Sequence, residues 1–102
     1  MGPDVQTRTA VAVAHFADRL AEAVDRKRTQ LVVGLDPVVS QLPVELRGET
    51  ALERRAGAAA AARFCCGIVD AVAPHAVAVK PQSAFFEALG GDGVLAFEQV
   101  CD

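Results

Sequence analysis

The chain has 102 residues, 52% of them hydrophobic, with a formal net charge of −3 and a mean hydropathy of +0.28. That is enough chain for one small domain, and the charge gives no sign of nucleic-acid or membrane-surface binding. No apolar run reaches the roughly 18–20 residues of a membrane span, and no cationic start leads into an unbroken apolar stretch as in a signal peptide, so a cytoplasmic protein is expected.

Met1 to about Ala12 is weakly patterned and expected to fray. From about residue 13 to 28 the spacing predicts a helix, with Phe16, Leu20, Ala23 and Val24 on one face. Arg26, Lys27 and Arg28 gather in its last turn, where positive charge suits the helix dipole, and read as a solvated end. Leu31–Leu35 is a continuous apolar run with β-branched residues, the pattern of a parallel strand buried on both faces. Asp36-Pro37 ends it, and residues 38–48, with Pro43 inside, predict an irregular connection with a short turn of helix.

A long helix is expected over about 50–73. Thr50 and Glu53 have the spacing of a capping box, and Leu52, Ala56, Ala60, Phe64, Ile68 and Val72 form an apolar row, flanked by Ala61, Cys65 and Val69. Pro74 closes that helix. Ala76-Val77-Ala78-Val79-Lys80 then reads as a second doubly buried strand, stopped by Pro81, which cannot donate to a ladder. A short helix over about 83–89, a break at Gly90–Gly93 and a further amphipathic helix from about 93 complete the chain. The glycine cluster lacks G-x-G-x-x-G spacing and reads as a helix–helix turn rather than a nucleotide loop. Cys65, Cys66 and Cys101 form no C-x-x-C and no Cys/His cluster, and read as buried free thiols; His15 and His75 read as structural or solvated.

Strand, helix, strand is a βαβ crossover, which predicts an α/β fold with two parallel strands and flanking helices. Asp36 and Lys80 then fall at the carboxyl ends of neighbouring strands, where α/β sheets carry their chemistry. Each also has a plain structural explanation: an Asp-Pro turn starter, and a first solvated residue after a strand. Two doubly buried strands with three helices leave sheet edges and faces uncovered, so the chain reads as part of a larger α/β domain or as one that needs partners.

Val33-Gly34-Leu35-Asp36-Pro37, Phe64-Cys65 with Ile68-Val69-Asp70, and Val79-Lys80-Pro81-Gln82 with Ala84-Phe85-Phe86-Glu87-Ala88-Leu89-Gly90 and Gly93 together resemble orotidine 5′-phosphate decarboxylase of the longer bacterial type. The resemblance runs from Phe16 onward. It implies that residues 1–102 are the N-terminal portion of a single (β/α)8 TIM barrel domain. The family removes carbon dioxide from orotidine 5′-monophosphate to make uridine 5′-monophosphate, with no metal and no organic cofactor, and shares its sites across a homodimer. By the same resemblance Asp36 bonds a ribose hydroxyl, and Lys80 is a catalytic and substrate-binding lysine that pairs with a carboxylate of the next strand. The family's Asp-x-Lys-x-x-Asp run does not occur in the chain, so the isolated polypeptide is expected to be inactive. A related phosphosugar-binding barrel lyase or aldolase, a non-catalytic α/β fragment associating through strand edges, and a small α/β binding module stand as alternatives.

Overall fold

A computed structural model describes residues 15–48 and 54–102. The expected frayed start, and the Thr50–Glu53 capping box with Leu52, lie outside the described residues.

The first helix, α1, spans Phe16–Lys27. Of its apolar face only Ala23 is buried; Leu20 and Val24 are half-buried and Phe16 stands 67% exposed. The helix ends on Arg28, which adopts the left-handed conformation (φ 58°) and returns its backbone N–H to the Val24 carbonyl. The solvated-end reading is corrected at Lys27. Its ammonium donates to the backbone carbonyls of Ala73 and of Ala76, the latter at 2.9 Å, tying α1 to the turn that precedes the second strand.

Strand β1 is Val32–Leu35 and strand β2 is Ala78–Pro81, paired in parallel with Val32 opposite Ala78 and Gly34 opposite Lys80. The second strand begins two residues later than its apolar run because the turn is still closing there: the N–H groups of His75 and Ala76 both bond the Val72 carbonyl. Pro81 belongs to the strand rather than following it. The ladder runs in steps of two, starting with Val77 N–H to Leu31 C=O, which would make residue 81 the donor to Leu35; proline has no N–H, and the Gln82 amide takes that carbonyl at 3.1 Å. Burial on both faces is also corrected. Leu35 is buried and Val33 half-buried on the helix side, whereas Val32 and Gly34 are exposed, because no layer among the described residues covers the opposite face.

After β1 come a 3₁₀ turn, Val39–Gln41, and a short helix α2, Val44–Arg47, which starts directly after Pro43. Helix α3, Arg54–Val72, carries the chain back. Its most buried side is Gly57, Ala58, Ala61, Ala62 and Cys65, with Ala60 beside it, so the central row is turned slightly from the one predicted and Phe64, Ile68 and Val72 flank it half-buried. Small side chains let the helix approach Ala96 of the last helix closely.

Two helices follow β2: α4, Ser83–Glu87, and α5, Gly90–Cys101. The glycine cluster does not break the chain after α4; it is the first turn of α5. Gly90 enters it at φ 72°, where glycine is favoured. Gly93 is buried, and a Cβ there would overlap the Phe86 carbonyl oxygen. The core comprises Leu35, Ala58, Ala62, Cys65, Phe86 and Ala96. Phe86 meets Phe97 edge to face, with ring centroids 5.1 Å apart. Among the described residues the chain is thus an α/β arrangement of two parallel strands with flanking helices. No helix among the described residues is long and apolar enough to cross a membrane.

Candidate functional site

The alternation of β1 decides which residues share a face. Leu35 points into the core with Val33 above it, which puts Val32 and Gly34 on the open side. In a parallel pair, register partners face the same way, so Lys80 joins Gly34. Asp36, two residues beyond Gly34, returns to that side: its Oδ2 lies 3.8 Å from where a Gly34 Cβ would stand. Asp36 and Lys80 are both exposed, at the carboxyl ends of the two strands, one diagonal step apart across the ladder.

Their side chains are not joined. Among the described residues the one ion pair is Arg26–Glu22 at 3.6 Å, an exposed pair on α1. A carboxylate that accepts and an ammonium that donates therefore share the rim of one sheet face, with Gly34 opposite the ammonium and two residues before the carboxylate. Such a pair can hold neighbouring hydroxyl groups of a ligand, each ion bonding one oxygen.

Beneath Asp36 lies Cys65 of α3, with no exposed surface. Burial, chiefly, pushes its thiol up to about 11, and Cys66 and the Asp36 charge add to the rise. Cys65 therefore stays protonated at neutral pH and acts as core packing. The buried-thiol expectation fails for the other two cysteines: Cys66 is half-buried and Cys101 exposed. His15 and His75 are exposed, and His75 lies in the turn before β2, at the end of that strand opposite Lys80. No group of three or more potential metal ligands occurs among the described residues.

The described hollows lie elsewhere. A groove of about 280 Å³ is lined by Phe16, Leu20, Lys27 and Val77 among others, and one of about 210 Å³ by Lys27, Val72 and Ala76–Val79. Neither reaches Asp36 or Lys80, both of which are exposed. Sequence reasoning passed over Gly34. Its signal was a glycine inside a β-branched run, two residues before a carboxylate.

Comparison with known proteins supplies the relationship. The chain is 45% identical over 86 residues to orotidine 5′-phosphate decarboxylase of Rhodopirellula baltica, a match covering 83% of this chain and 28% of that protein. The chain belongs to the orotidine 5′-phosphate decarboxylase family. Family members from Janthinobacterium sp. and Deinococcus radiodurans match at 36% and 38% identity, over 84% of this chain and 28% and 27% of their own lengths. The chain thus spans little more than a quarter of the curated relatives it matches. No family model matches it, and no solved structure matches significantly.

Proposed function

We propose that this chain supplies two consecutive strand–helix units of a (β/α)8 barrel of the longer bacterial type, and that the complete protein converts orotidine 5′-monophosphate to uridine 5′-monophosphate and carbon dioxide. The observation that carries the proposal is the placement of Asp36 and Lys80 on one open face at the carboxyl ends of paired parallel strands, in a chain whose relatives bear that enzyme's name. In this role the Asp36 carboxylate accepts hydrogen bonds from ribose hydroxyls. The Lys80 ammonium donates to the ribose and contributes fixed positive charge near the carbon that becomes a carbanion when carbon dioxide leaves. Preorganised charge of this kind lowers a barrier without having to reorient during the reaction. The proposal places the enzyme in the cytoplasm as a homodimer working without metal or organic cofactor, with the open face of the sheet turned toward the barrel interior.

The test uses the complete protein and orotidine 5′-monophosphate, followed by pyrimidine absorbance. Turnover is expected from the complete protein and none above background from residues 1–102 alone. Lys80→Ala is expected to lower turnover on the order of 10²–10³-fold, with a stability change within about 0.5 kcal/mol because the side chain is exposed. A complete protein that leaves this nucleotide untouched but cleaves another phosphosugar would refute the assignment. Equal losses of turnover and stability in Lys80→Ala would reduce Lys80 to a structural residue.

A further inference from the structure

Gly34 has no conformational reason to be glycine. It lies inside a strand and is not among the residues with positive φ. A Cβ built on it meets only Asp36 Oδ2 within 4 Å, at an ordinary contact distance of 3.8 Å. Three other glycines differ: Gly48 and Gly90 have positive φ, and a Cβ at Gly93 would press on the Phe86 carbonyl, whereas Gly67 and Gly91, with open space around them, lie in helices rather than in the sheet. A glycine within a strand weakens it, and where no bulge or tight approach demands one it marks a place where something else comes close to the backbone.

The register says what that place is. Gly34 is the partner of Lys80 and the same-face neighbour of Asp36. Any side chain at this position would stand against the Asp36 carboxylate, 3.8 Å from its Oδ2 at the Cβ alone, and on the same face as its register partner Lys80. We propose that Gly34 is the size-determining position of the site, its missing side chain leaving the β1 backbone beside Asp36 and opposite Lys80 open so that a ligand's hydroxyl-bearing ring can lie against it and reach both ions. The inference rests on the proposed substrate and adds to it a rule about volume: occupancy falls as the residue at 34 grows, although the fold tolerates the growth.

Gly34→Ala and Gly34→Val in the complete protein test this. Both variants are expected to melt at or above the temperature of the unsubstituted protein, since each adds strand-forming side chain where the structure has room. KM for orotidine 5′-monophosphate is expected to rise in the order Gly, Ala, Val, by at least tenfold for valine. Valine with unchanged KM would overturn the inference. So would melting temperatures that fall in step with activity, because Gly34 would then be serving the fold. If the unsubstituted protein neither binds nor converts the nucleotide, the failure lies in the substrate assignment, and the inference falls with it.

Discussion

Replacing Gly93 by alanine is expected to destabilise the protein although it substitutes the best helix former for one of the worst. The new methyl would overlap the Phe86 carbonyl oxygen and stand 2.7 Å from Leu89 Cβ and 2.9 Å from the Phe86 carbonyl carbon. Two of these three atoms are backbone, so no rotamer change relieves the contact; α4 has to move off α5. Overpacking of this kind costs about 1–3 kcal/mol. Moving α4 also disturbs the Phe86–Phe97 edge contact at 5.1 Å, worth ~0.5–1.5 kcal/mol. Against this stands a helix-propensity gain of about 1 kcal/mol, leaving a net loss of about 2 kcal/mol. Gly91→Ala is the control. It lies in the same helix, is exposed, and its Cβ would meet nothing within 4 Å, so it is expected to raise stability by up to about 1 kcal/mol. Denaturant midpoints of the two variants measure the difference. A Gly93→Ala protein as stable as Gly91→Ala would refute the close approach of α4 to α5.

Lys27→Ala removes an ammonium that bonds the carbonyls of Ala73 and Ala76, and is expected to cost about 1.5–3 kcal/mol by thermal melting, the scale of a charged hydrogen bond. Arg28→Gly relieves a left-handed φ of 58° and is expected to stabilise by up to about 1 kcal/mol in the same assay. The Cys65 thiol titrates at about 11 against an ordinary 9.0, so folding favours its protonated form. Its contribution is complete below pH 9 and is lost as pH rises from about 9 toward about 11, and Cys65→Ala is expected to flatten that part of the stability profile.

Much of the frame was readable from the residues. Runs of Val, Leu and Ala bounded by Asp-Pro and Lys-Pro marked both strands, and spacing near four marked α3. The buried row of α3 was harder to read, because a helix made mostly of alanine looks similar from several sides. Lys27 was misread because its partners are backbone carbonyls 46 and 49 residues away, and a carbonyl has no letter in a sequence. The double burial expected of the strands followed from composition, yet only one face is covered among the described residues. Asp36 and Lys80 could be found by asking where a strand ends. Gly34 could not be weighed until the register set it opposite Lys80, since cross-strand neighbours depend on pairing and not on order along the chain.

At Pro81 the amide that finishes the ladder comes from Gln82, the residue that opens α4. One bond therefore fastens the rim of the sheet to the start of the next helix, whose Phe86 is wedged in the interior. A shift of that helix pulls directly on the last rung beside Lys80. The proline makes the charged rim and the hydrophobic interior a single mechanical unit, so that loosening either one displaces the other.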